Sequence, residues 1–154
     1  MVTIFSPQTE SDWNEARRLV REYTLSLGID LSFQDIETEL SNLKEKFEGN
    51  GGCFFLARTD QEIIGCAGFW RIDESTCEMK RLYVVPSARG QQLGEKLVQM
   101  VLNRARDMQY HTILLDTIDT MKSAIELYHR MGFTEIAAYR FNPLEGAKYF
   151  SRAL

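Results

Sequence analysis

The sequence has no excess of positive charge. Its 18 lysines and arginines face 22 aspartates and glutamates, a formal net charge of −4. That balance argues against non-specific nucleic-acid binding, which needs a basic face to displace counterions. It suits a cationic partner such as an amine. Long apolar runs are missing: none approaches the roughly 18 residues that would span a bilayer. The opening Met1-Val2-Thr3-Ile4-Phe5-Ser6-Pro7 has neither the basic segment nor the apolar stretch of a secretory leader, so a cytoplasmic protein is expected. Cysteine is scarce. Cys53, Cys66 and Cys77 fit neither a CxxC pair nor a zinc spacing, so buried reduced thiols and no metal are expected. Nothing pairs His111 or His129 with a nucleophile or a carboxylate, and both are expected to face solvent.

What is present suffices for one domain with a core. The chain has 154 residues, 44% of them hydrophobic, with no repeat, low-complexity segment or linker, so a single domain over 1–154 is expected. Residues 2–5 read as a strand. Ser11 or Asp12 is a candidate cap for a helix carrying Trp13, Ala16, Leu19, Val20, Tyr23 and Leu27 at helical spacing, stopped by Gly28. A second helix is expected over 33–47, with Phe33, Ile36, Leu40, Leu43 and Phe47 on one stripe. Strands follow at 53–59, 63–72 and 76–85, joined by short polar turns. A helix starting near Gln91 presents Leu93, Leu97, Val98, Val101, Leu102, Ala105 and Met108. Then come a strand at 111–117, a helix at 122–131 stopped by Gly132, and strands at 133–138 and 147–154 around a loop at 139–146. The fold class is α/β: a mixed, mostly antiparallel sheet of about seven strands with helices on both faces. A strand edge near the C-terminus is a candidate surface for a homodimer.

The segment from Glu78 to Gly94 is the most informative. A strand ends at Pro86, a glycine-containing turn follows, and an amphipathic helix begins. Backbone N–H groups at such a start, aided by the helix dipole, form an anion site. No Gly-Lys-Ser or Gly-Lys-Thr is present for a P-loop. Gly90 and Gly94 have the wrong spacing for GxGxxG, although Asp116 lies at a tolerable distance, and the meander before the turn contradicts a βαβ unit.

Two motifs carry a resemblance. Arg89-Gly90-Gln91-Gln92-Leu93-Gly94 follows Leu82-Tyr83-Val84, and Ala124-Ile125-Glu126-Leu127-Tyr128-His129-Arg130-Met131-Gly132-Phe133 lies downstream. Together, over 78–133, they resemble the acetyl-CoA-binding core of the GNAT superfamily of N-acetyltransferases. The resemblance implies a fourth strand that splays from the fifth and opens a slot for the pantetheine arm, which would pair with the backbone of Leu82 and Val84 as an added strand does. It implies cofactor contacts from Leu82, Tyr83 and Val84, from the loop Arg89, Gly90, Gln91, Gln92, Leu93, Gly94 and Glu95, and from Met121 and Ala124. Two positions depart from the pattern. Gln92 replaces a glycine, harmless in helical geometry with an outward side chain, and Met121 replaces an asparagine that often touches the cofactor.

The implied reaction moves the acetyl group of acetyl-CoA to a primary amine by direct attack in a ternary complex. An alkyl amine has a pKa of about 10 and must lose a proton first. Glu78 aligns with a glutamate base found in some members, and should share a strand face with Lys80, Leu82 and Val84 unless a bulge intervenes. A cross-strand surface residue or a partner for the substrate's charge is its other reading. Tyr128 aligns with a tyrosine beside the cofactor sulfur and is the candidate acid, although its stripe with Met121, Ala124, Leu127 and Met131 also suits a core tyrosine. Lys80 and Arg81 are candidate contacts to an anionic group of the acceptor. The expected acceptor is a small molecule, with a protein N-terminus or lysine as the alternative, and a CoA-binding sensor without catalysis as another.

Overall fold

The architecture is that of a computed structural model, described for residues 1–27 and 36–154. The elements are β1 (Thr3–Phe5), α1 (Glu10–Ser26), α2 (Ile36–Ser41), α3 (Leu43–Phe47), β2 (Cys53–Arg58), β3 (Ile63–Arg71), β4 (Thr76–Val84), α4 (Leu93–Asp107), β5 (Thr112–Ile118), α5 (Lys122–Arg130), β6 (Thr134–Ile136) and β7 (Ala147–Ala153). A 3-10 turn at Pro86–Ala88 lies between β4 and α4.

The strands form one sheet in the order β1-β2-β3-β4-β5-β7-β6. Each neighbouring pair is antiparallel except β4 and β5. The apolar face of α4, from Leu93 to Ala105, packs on one side of the sheet with Leu127 and Tyr128 of α5. Trp13, Ala16, Leu19 and Val20 of α1 cover the other side with Leu40, Leu43 and Phe47. The mixed seven-stranded sheet with helices on both faces is therefore as the hydrophobic pattern predicts. A Cβ at Gly68 would meet Phe54 at 2.7 Å and Phe47 at 2.8 Å, so only glycine lets α3 lie this close to β3.

Several boundaries differ from the sequence expectation, each for a local reason. The cap of α1 is Thr9, not Ser11 or Asp12. Thr9 Oγ1 accepts from the Asp12 N–H at 3.1 Å, and Asp12 Oδ2 accepts from the Thr9 N–H at 3.2 Å, which completes a capping box. The expected stop at Gly28 and start at Phe33 lie outside the described residues. Within them the second helix is two helices, broken at Asn42 (φ −107°, ψ 16°). Helix α4 starts two residues later than Gln91, because Gly90 and Gln92 both have positive φ. The last strand, β7, lies inside the sheet between β5 and β6, so the edge near the C-terminus is the three-residue β6. Among the described residues, no helix is long and apolar enough to cross a membrane.

Candidate active site

Strands β4 and β5 pair over only three residues, Thr76 to Glu78 against Thr112 to Leu114. Beyond Glu78 they part. A cleft opens there between Met79, Lys80, Arg81 and Leu82 on one bank and Leu115, Asp116, Thr117 and Ile118 on the other. Met121 and Tyr128 line it, as do Tyr23 and Asn142.

A bulge shapes the β4 bank. Lys80 faces Gly68 and Tyr83 faces Cys66, so Arg81 and Leu82 together oppose the single residue Ala67. Arg81 takes φ +61°, a left-handed conformation uncommon for a non-glycine residue. It is held there from two directions. Its guanidinium makes a forked pair with the Glu39 carboxylate, with Nε to Oε2 at 2.8 Å, and its carbonyl accepts from Cys66 Sγ at 3.2 Å. The bulge overturns the expected alternation. Leu82 and Val84 pack with Met79 on the α4 side, whereas Tyr83 packs against α1 and Glu78 meets Trp70 across the sheet. The Tyr83 hydroxyl donates to Glu22 at 2.6 Å, so its side chain is directed away from the cleft.

The α4 end of the cleft is built from backbone. Gly90 has φ +85° with open space where a Cβ would stand, and Gln92 has φ +61°. No described group accepts from the N–H of any residue from Gly90 to Glu95, and the first backbone bond of the region runs from Lys96 N to Gln92 O at 3.1 Å. Six consecutive donors at a helix N-terminus fit a pyrophosphate. Gln92 was expected to be harmless in helical geometry; its left-handed φ makes it a strained stand-in for glycine instead, at a cost of about 1–2 kcal/mol. Arg89 does not stand free in solvent: its Nε donates to the Val84 carbonyl at 2.9 Å and its guanidinium lies over the Tyr83 ring. Gln91 is exposed, Leu93 is buried, and Glu95 lies in the first turn of α4. Gly94 meets Leu127, so α4 and α5 touch at the cleft. Met121 is the N-cap of α5, and Ala124 packs on the α4-side core.

Tyr128 is buried between Phe133 and Phe150, with its hydroxyl lacking a hydrogen-bond partner among the described residues. Burial pushes this phenol far above its ordinary range, so it carries its proton. Tyr128 both belongs to the core cluster and lines the cleft.

Side chains build the opposite end. Glu78 is 1% exposed and sits at the last pair before the strands part. It accepts from Trp70 Nε1 at 2.9 Å, from the Tyr139 hydroxyl and from Arg140, with Lys80 Nζ at 4.0 Å. Every partner is a donor. Lys80 Nζ donates to Asp116 Oδ1 at 3.3 Å, and burial lowers its pKa against the pull of that carboxylate. Asp116 also accepts from Asn142 Nδ2 at 3.2 Å and faces Arg140 Nε at 3.7 Å. The segment 137–146 is thus tied across the cleft mouth, and Tyr149 donates to the Arg140 carbonyl at 2.8 Å.

The sequence does not single out Asp116, Tyr139, Arg140 or Asn142 as site residues; the last three lie in the loop read at 139–146. One signal was available: an aspartate inside the apolar strand Thr112-Ile113-Leu114-Leu115-Asp116-Thr117-Ile118 needs buried partners. His111 and His129 are exposed and outside the site.

Known proteins agree with this geometry. Residues 13–133 match the acetyltransferase (GNAT) family. The chain is 33% identical over 150 residues to an uncharacterized N-acetyltransferase of Schizosaccharomyces pombe, covering 96% of this chain and 92% of that protein. It is 27% identical to an uncharacterized N-acetyltransferase of Dictyostelium discoideum, over 84% of this chain and 88% of the relative. A GNAT-family acetyltransferase from Staphylococcus aureus superposes with TM-score 0.82 at 25% identity, covering 99% of both chains. A GNAT acetyltransferase from Elizabethkingia anophelis, solved with acetyl-CoA bound, shares the fold at TM-score 0.67 and 21% identity, covering 99% of this chain and 98% of that one. The parted strands, the row of amides at the start of α4 and these kinships lead to one conclusion: the chain belongs to the GNAT family of acetyltransferases, enzymes whose acyl donor is acetyl-CoA.

Proposed function

We propose that this protein acetylates a primary amine on a small molecule, by direct attack on acetyl-CoA within a ternary complex. The observation that carries the reading is the parting of β4 and β5 between two unlike polar ends, free amides on one side and a charged cluster on the other. The amides of Gly90 to Glu95 would hold the pyrophosphate. The backbone of Leu82 and Val84, beyond the last β5 pair, would take the pantetheine arm as an added strand. For that, Arg89 must release the Val84 carbonyl and is then free to meet phosphate.

Glu78 is the proposed base. Its carboxylate is enclosed by donors, so a proton from the amine reaches it through the Tyr139 hydroxyl, the uncharged member of the set that belongs to the mouth segment. Burial holds the Tyr139 phenol protonated until that transfer. Tyr128 is the proposed acid for the departing thiolate, its hydroxyl being protonated and unclaimed by described residues. A small acceptor is favoured because the Arg140 and Asn142 contacts to Glu78 and Asp116 narrow the entrance.

The test is thiol release from acetyl-CoA across a panel of amines. Turnover with one class of small amine supports the reading. Turnover only with peptides would replace it with protein acetylation, and binding without release for every amine would leave a CoA-binding sensor.

A further inference from the structure

Lys80 is itself a primary alkyl amine at the point where the strands part. Its side chain is 13% exposed and lines the same cleft as Leu82 and Tyr128. Nζ stands 3.3 Å from Asp116 Oδ1, 4.0 Å from Glu78 Oε1 and 5.3 Å from the centroid of the Trp70 ring. Arg140 faces the same two carboxylates, so the amine shares its proton acceptors with a second cation. We propose that Lys80 is a self-acetylation site, taking the acetyl group from acetyl-CoA bound in the cleft when no acceptor is present. This rests on the cofactor reading given above.

The chemistry balances with groups already present. The Lys80 ammonium gives one proton to Asp116 Oδ1, which passes it to solvent. The freed lone pair forms the N–C bond to the thioester carbonyl carbon, and the C–S bond breaks. The thiolate takes the Tyr128 hydroxyl proton and leaves as a thiol, and the second Nζ proton restores Tyr128. Partial withdrawal from water favours the neutral amine that this attack requires, as the lowered pKa of Lys80 indicates. The product is an amide, inert toward amines, so it accumulates as a modification and does not pass acetyl onward. It also removes the cation paired with Asp116, leaving Asn142 and Arg140 as that carboxylate's partners.

Uncatalysed acetylation would favour the exposed lysines Lys46, Lys96 and Lys122 over Lys80. The experiment incubates the full chain with isotope-labelled acetyl-CoA without amine, then maps the label by tryptic mass spectrometry. Label on Lys80 ahead of the exposed lysines is expected, seen as loss of cleavage after Lys80. That label should vanish in Lys80→Arg and slow in Tyr128→Phe, with labelling of exposed lysines unchanged. Label on the exposed lysines alone, in a chain that releases thiol with an amine, overturns the inference and leaves the cofactor reading standing. No acetyl-CoA binding by calorimetry and no thiol release overturns both. If Lys80→Arg does not fold, the wild-type label map decides alone.

Discussion

At one end of the cleft, the backbone N–H groups from Gly90 to Glu95 have no partner among the described residues; at the other, Glu78 and Asp116 are surrounded by Trp70, Lys80, Tyr139, Arg140 and Asn142. The difference follows from water. The loop is largely exposed, so its amides cost little to leave open and remain available to an anion. Glu78 is fully enclosed, and a charge taken from water must be paired within the fold. One end is therefore poised to bind, and the other is poised to hold its own side chains in place.

The largest effect is expected from removing charge at the paired end. Glu78→Gln should lower turnover by about 10²–10⁴-fold with acetyl-CoA affinity nearly unchanged, read by steady-state kinetics and calorimetry. Glu78→Ala, which takes the carboxylate from Trp70 and Tyr139 and leaves Arg140 and Lys80 to share Asp116, should also destabilise the fold, by about 1–3 kcal/mol in urea titrations. Full turnover in the glutamine variant across the pH range would remove Glu78 as the base. Next comes Tyr128→Phe, expected to lower turnover by roughly 10²-fold while shifting stability by less than about 1 kcal/mol, since the lost hydroxyl bonds no described residue. A variant that unfolds readily yet keeps its specific activity would make Tyr128 a core residue only.

A third test addresses the bulge between the two ends. Burial pushes the Cys66 and Cys77 thiols from 9.0 up to about 12 and the Tyr83 phenol from 10.0 up to about 12. These folded-state values are raised, so their contribution is fully present below the unfolded values and is lost as pH climbs through the folded ones. Stability should thus fall between pH 9 and pH 12, and ionising Cys66 would release the Arg81 carbonyl. Denaturant midpoints measured across that window check it; a flat profile would mean that the bulge is open to water. The smallest effect belongs to the open end. Gln92→Gly should relieve the left-handed strain and stabilise by up to about 1 kcal/mol. Cofactor affinity should stay within about tenfold, or roughly 1.4 kcal/mol. A larger loss would make the Gln92 side chain a ligand.

The same contrast explains what could be read in advance. The open end is local in sequence: strand, turn, glycine and helix start lie together from Leu82 to Gly94, so its amides were legible in the chain. The helical stripes of α1 and α4 were legible for the same reason. The paired end joins β4, β5 and the 137–146 segment, and no local pattern announces that Arg140 will meet Glu78. The faces of β4 beyond Lys80 depend on a bulge that the sequence allows but does not place, because it centres on an arginine whose left-handed backbone depends on the distant Glu39 and Cys66. Similarly, Thr9 rather than Ser11 caps α1 because Asp12 serves as the third residue of its capping box.

The three-residue seam between β4 and β5 also has a kinetic meaning. Strands β2, β3 and β4 form a meander after the early helices and close through short turns. Joining β4 to β5 instead requires a loop that contains all of α4 and returns few pairs for that closure. Contacts of that kind assemble late. The seam should thus be the last part of the sheet to close, and hydrogen exchange should find its amides opening before those of β3.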